Sequence, residues 1–399
     1  MTLRRIRKGL APSRERIQAV GRVLFDALFP RRVFRAFERA RSAVPESVNL
    51  RLKLIVRPPE LGHPPWALLY DPDDERLLAA RLTYPLVRFI ESGTPVASRL
   101  APRPLRVLYV PANPASTTQL DLATSEQAIR EALGDQVEIC AIRHTTPAAL
   151  RQVPRERPGF HILHDGGHAA FDAREDAGTI YLNPATGSIS PLDGELLATY
   201  LDGTPVRLVV LAACETAVDS QQKRFTGVAQ QLMRASALPA VVAMQYETAD
   251  APAIAFNRGF YAPLVDGYPV DAAVVEARKA ILESVGGEAS AAFAAPDWST
   301  PALFMRSKDG NILEPEVDPE ADAGANKQTV VPRIDTGAGA SVSSPVNTGG
   351  GDFVGRDKIV ENVQAGGIRA GRTEADNVVS GVQIQGSNLR GGWQKVTRA

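Results

Sequence analysis

The chain has 399 residues, 44% of them apolar, which is enough for a sizeable core and for more than one domain. Its 45 lysines and arginines balance 45 aspartates and glutamates, so no overall field favours nucleic acid or an anionic membrane surface. Two cysteines exclude a disulfide framework and suit a reducing, cytoplasmic setting. The basic start (Arg4, Arg5, Arg7, Lys8, Arg14, Arg16) carries no apolar run of the kind a signal peptide needs, and no segment is long enough to span a bilayer. It reads as the solvated end of a helix rather than a nucleic-acid or lipid patch.

In chain order, Ile17, Val20, Val23, Leu24 and Leu28 fall at helical spacing and predict a packed amphipathic helix. Residues 50–56 alternate like a strand, and the prolines flanking Trp66 mark a bend. From 105 to 310, strand and helix patterns alternate. Strands are predicted at 105–110, 137–142, 160–164, 206–213 and 240–245, with helices at 125–133, 227–235, 253–264 and 270–285. This alternation predicts an α/β fold, a mainly parallel sheet with helices on both faces. The first part, 15–104, and the alternating part, 105–310, form one predicted domain.

Residues 311–399 are rich in Gly, Ala, Asp, Asn and Ser, with Phe353 and Trp393 as the only aromatics. So little apolar surface predicts a largely flexible linker and tail. Two patches, 349–360 and 377–384, have β-forming character and suggest short hairpins that pair with a sheet edge of a partner or of a second copy. Deleting residues 315–399 is expected to leave the melting temperature of the core within about 2–3 °C.

Two of the predicted strands run into residues with chemistry. The first ends in His164-Asp165-Gly166-Gly167-His168, the later one in Cys214-Glu215-Thr216. Functional groups in such sheets gather beyond the carboxyl ends of the strands. A thiol nucleophile needs a base beside it, so His168 and Cys214 form a candidate dyad, on strands predicted to lie side by side. Cys140, in the middle of a predicted strand, reads as an inert packed thiol. His164, Asp165 and His168 also raise a metal site, but no further Cys or His cluster supports it, and no metal is assigned.

The chain resembles the CHAT domain family, caspase-like members of the separase/caspase clan of cysteine peptidases. The stretches that carry the likeness run 21–29, 64–71, 105–110, 164–168, 208–217 and 298–304, with Ala213-Cys214-Glu215-Thr216 the most specific. Together they cover about 15–310. The 46-residue separation, His first, is close to the spacing of about 50 found in caspases.

The resemblance implies that His168 is the general base and Cys214 the nucleophile. It also implies an oxyanion hole made by the backbone N–H groups of Cys214 and Ala169. Ala169 stands where the family usually has Gly. His164 and Asp165 are assigned to orienting the loop, and Gln245, Tyr246 and Asp250 to the substrate pocket, with Tyr246 where Trp is common. The implied function is a caspase-like cysteine endopeptidase that cuts a protein substrate in prokaryotic defence or signalling. It needs no cofactor, and an activating or recruiting protein partner would act through the tail. The alternative is a catalytically weak CHAT-like interaction module with a partner-recruiting tail, which the Ala169 departure favours.

Overall fold

The computed structural model describes residues 13–43, 48–56, 59–62, 64–91, 100–102, 104–134, 137–156, 159–172, 177–212, 224–246, 248–285, 296–307, 309–312, 363–365 and 380–388. Helices α1 (Arg14–Leu28) and α2 (Arg31–Ala43) open the described chain and lead into strand β1 (Val48–Ile55). Ile17, Leu24, Phe25 and Leu28 form the buried face of α1. Val23 departs from the expected pattern and is 67% exposed. It lies six positions after Ile17, roughly 240° round the helix, and so leaves the apolar stripe. The rings of Phe25, Phe29, Phe37 and Tyr84 pack in sequence under α1 and α2, with centroids 4.7–5.5 Å apart.

A small hairpin of β2 (Tyr70–Asp71) and β3 (Arg76–Leu77) precedes β4 (Leu86–Phe89). The alternating part then runs β5 (Leu105–Val110), α3 (Leu122–Leu133), β6 (Val137–Ala141), α4 (Pro147–Glu156) and β7 (Ile162–Asp165). Next come β8 (His168–Asp172), β9 (Ala177–Leu182), β10 (Ser190–Asp193), α5 (Gly194–Leu201), β11 (Leu208–Leu211) and α6 (Arg224–Ala235). The last elements before residue 312 are β12 (Ala240–Met244), α7 (Asp250–Val265), α8 (Val270–Ser284) and β13 (Pro301–Met305). Asp121 and Asp193 cap α3 and α5, each accepting a backbone N–H from three residues on.

The predicted α/β sheet is observed. β5, β6, β7, β11 and β12 are parallel, in the order β6-β5-β7-β11-β12. Val107, Leu108, Val110, Ile162, Leu163, Val209, Val210, Val241 and Val242 have no exposed surface. Burial on both faces explains why these strands read as unbroken apolar runs. Helices α3, α7 and α8 pack together on one face, and α4, α5 and α6 associate on the other.

Several features were not predicted. β8, β9 and β10 leave the main sheet as a separate antiparallel sheet, and α4 and α5 are helical where no helix was expected. β13 enters antiparallel to β12 and parallel to β4, which joins the first part of the chain to the same sheet. β1 extends it further, and the Arg51 side chain on β1 forms a buried two-pronged ion pair with Asp271 on α8, at 2.6 and 2.9 Å.

Beyond residue 312 the described residues are strands β14 (Val363–Ala365) and β15 (Ser380–Asn388). β15 pairs antiparallel with the whole of β1, from Val48 opposite Asn388 to Ile55 opposite Gly381, and β14 pairs with β15. The 377–384 patch overlaps β15, whose sheet neighbour is the chain's own β1. The patch at 349–360 and the basic residues before position 13 lie outside the described residues.

Candidate active site

β5 connects through α3 to β6 on one side, and the chain then crosses back to β7 on the other. The strand order therefore reverses between β5 and β7. The crevice beyond the carboxyl ends of strands at such a reversal is where open α/β sheets bind ligands. The loop following β7 there is Gly166-Gly167, and His168 comes directly after it.

Both glycines are needed for close approach. A Cβ on Gly166 would sit 2.7 Å from the Tyr109 hydroxyl oxygen, and one on Gly167 would sit 2.6 Å from the Ala112 Cβ. The turn is therefore pressed against the end of β5, and His168 is set over the crevice. It is 1% exposed, and among the described residues neither imidazole nitrogen makes a well-formed hydrogen bond. Burial lowers its pKa, while the Thr118 backbone pulls the other way. The ring is thus neutral at neutral pH, the form able to accept a proton.

His164 and Asp165 occupy successive positions of β7 and so face opposite sides of the sheet. His164 is held between aromatic rings. Its Nδ1 lies 2.7 Å from the Tyr261 hydroxyl on α7, and its ring centroid is 5.4 Å from that of Tyr109. Burial pushes its pKa down to about 3, so the ring is neutral and bolts β7 to α7. Asp165 is completely buried, and among the described residues neither carboxylate oxygen makes a well-formed hydrogen bond. Burial raises its pKa well above the ordinary carboxylate value, and the Gly167 backbone N–H offsets this only in part.

Strands β7 and β11 are parallel neighbours, as predicted, with Asp165 opposite Leu211. The Ala212 N–H still donates to the Asp165 carbonyl at 3.0 Å. His168 follows Asp165 by three residues, and Cys214 follows Leu211 by three. Cys214 itself lies outside the described residues. Ala169 is fully buried in β8 opposite Ile180. Cys140 is half-buried, on β6 at the end of the strand order.

Gln245 and Tyr246 follow the carboxyl end of β12, two strands from β7, or about 10 Å along the same edge. The Gln245 amide donates to the Pro64 carbonyl at 3.1 Å and accepts from the Arg88 guanidinium. Tyr246 packs half-buried against the core. Asp250 opens α7, where a carboxylate suits the positive end of the helix. Among the described residues no group of three or more His, Cys, Asp or Glu side chains is arranged to hold a metal ion. No helix among them is long and apolar enough to cross a membrane.

Sequence reasoning missed three contributors: Tyr261, which anchors His164, Thr118, which flanks His168, and Ala112, which the loop abuts. Each is tens of residues away along the chain, and none carries a local motif that would single it out.

No curated protein sequence matches this chain. Among solved structures it is similar to the Arg-specific cysteine proteinase gingipain R, at 14% identity and a TM-score of 0.40, covering 62% of this chain and 58% of that one. It is also similar to the separase–securin complex of Saccharomyces cerevisiae, at 12% identity and a TM-score of 0.36, covering 61% of this chain and 14% of that one. The chain thus spans less than two-thirds of either. A family model, the CHAT domain, matches residues 18–307, so this chain belongs to the CHAT domain family.

Proposed function

We propose that the chain is a caspase-like cysteine endopeptidase with His168 as base and Cys214 as nucleophile. The observation that carries this reading is the buried, neutral imidazole of His168, which has no well-formed hydrogen bond among the described residues, held at the strand-order reversal beside the strand that leads to Cys214. Equal three-residue offsets from a register pair support the dyad. In the proposed reaction His168 takes the thiol proton and the sulfur adds to the scissile carbonyl. The N–H groups of Cys214 and Ala169 hold the oxyanion, where one such donor is worth about 10²–10³ in rate. The imidazolium then protonates the leaving amine as the C–N bond breaks, giving a thioester. Water, deprotonated by His168, hydrolyses the thioester and restores the thiol.

Gln245, Tyr246 and Asp250 line the substrate side in this reading. It places the chain in the cytoplasm of a prokaryote, in defence or signalling, with a partner acting through the tail. The closed setting of His168 implies that the loops open before substrate enters. It also favours a second reading, an interaction module with weak or no catalysis. Alkylation by iodoacetamide separates the two. For a peptidase, Cys214 reacts faster than Cys140 and slows when His168 is replaced by Ala, and Cys214→Ala abolishes cleavage of a peptide library. Equal rates at the two cysteines would remove the nucleophile.

A further inference from the structure

One groove on the carboxyl edge of the sheet belongs to none of the residues assigned so far. It encloses about 490 Å³ and lies beyond the ends of β5 and β6. Asn113 follows β5, Arg143 and His144 follow β6, Glu126 and Arg130 project from α3, and Asn183 follows β9. It adjoins the candidate site through β9, because Asn183 lies two residues beyond Tyr181, the register partner of His168.

The groove carries surplus positive charge. Glu126 is the only carboxylate among its lining residues, and it is shared by Arg130 at 2.6 Å and Arg143 at 3.7 Å. The Glu126 side chain is 13% exposed, against 48% for Arg130 and 75% for Arg143. One covered anion therefore sits beneath two open guanidinium groups, which present planar donors suited to a second carboxylate. At the other end, the Asn183 Oδ1 is buried, has no hydrogen-bond partner among the described residues and calls for an N–H donor. His144, next to Arg143 in the lining, holds a left-handed backbone conformation, φ 59°, which is uncommon for a residue other than Gly.

We infer that this groove binds an acidic stretch of polypeptide, its carboxylates on Arg143 and Arg130 and a backbone N–H on Asn183. Given the peptidase reading, on which this part rests, its position also fixes the side of the cut. Along the edge the order is groove, His168 on the β7 side, then β11 leading to Cys214. The base delivers its proton to the leaving amine, so the leaving segment lies on the side of the histidine away from the sulfur. The groove therefore holds residues that follow the scissile bond, and the substrate class is a protein with Asp or Glu there.

The test uses the full chain carrying Cys214→Ala and two dye-labelled probes, Gly-Gly-Glu-Glu-Gly-Glu and Gly-Gly-Lys-Lys-Gly-Lys, read by fluorescence anisotropy. The acidic peptide binds at least ten-fold tighter than the lysine peptide. Arg143→Glu weakens the acidic peptide at least five-fold, and Glu126→Gln, which frees both guanidinium groups, tightens it. Equal binding of the two probes, indifference to Arg143→Glu, or weakening by Glu126→Gln overturns the inference. Binding needs no catalysis, so the two readings fail separately. Acidic-peptide binding by a chain that cleaves nothing leaves the groove and removes the peptidase. Cleavage in which glutamates after the cut do not lower KM, or do so equally in Arg143→Glu, removes the groove's role in substrate choice.

Discussion

Replacing Gly167 with Ala probes the link between the β7–β8 turn and the candidate base. Gly167 does not have a positive φ, so the backbone tolerates a side chain and the effect is purely one of space. The new methyl would lie 2.6 Å from the Ala112 Cβ and 3.2 Å from the Ala112 carbonyl oxygen. Carbon atoms rest about 3.5–4.0 Å apart, so the overlap is on the order of 1 Å. Ala112 is fully buried and has no rotamer to change, so the turn lifts and takes His168 with it. Overpacking of this kind costs about 1–3 kcal/mol. A misplacement of about 1 Å at a catalytic group costs on the order of 10²-fold in rate. The assay compares melting temperature with the rates of peptide cleavage and Cys214 alkylation. A second variant, Ala112→Gly with Gly167→Ala, removes the 2.6 Å contact and leaves the milder ones, 3.2 Å to the carbonyl oxygen and 3.3 Å to the Cα, so it recovers most of the loss. If Gly167→Ala matches the parent chain in both measurements, or the double variant does no better than the single, the turn does not position His168.

Asp271→Ala leaves the Arg51 guanidinium buried without its carboxylate and is expected to cost about 3–5 kcal/mol, measured by denaturant unfolding. A loss below about 1 kcal/mol would show that the pair does not tie β1 to α8. His164, pushed down to about 3 from an ordinary value near 6.5, stays neutral in the fold but protonates in the unfolded chain. Its contribution is therefore complete above pH 6.5 and is lost as the pH falls towards 3. His164→Gln should flatten that acid limb, whereas Asp165, whose pKa is raised, contributes with the opposite sign. Deleting residues 313–399 removes β15 from β1 and leaves an unpaired strand edge, so the truncated chain should self-associate on size-exclusion chromatography. A stable monomer would show that this edge needs no cover.

The parallel sheet was legible in the residues because each inner strand is buried on both faces and so reads as a short apolar run. Those at 105–110, 206–213 and 240–245 contain β5, β11 and β12. The candidate dyad was legible for a related reason, since His168 and Cys214 stand out against the apolar runs they follow. Helix periodicity located α3, α6, α7 and α8 to within about three residues. Local patterns could not reveal the antiparallel β8–β10 sheet or the insertion of β13 between β12 and β4. Strand partners are chosen by packing across long stretches of chain, not by the strand's own residues. The same holds at the site. That His164 is bolted to Tyr261, that His168 is closed in beside Thr118, and that Arg130 and Arg143 share Glu126 in a groove next to Asn183 all follow from three-dimensional proximity. Composition and spacing determined which residues were available for chemistry. Only the tertiary fold decided which were buried and neutral, because desolvation depends on what the rest of the chain packs around them.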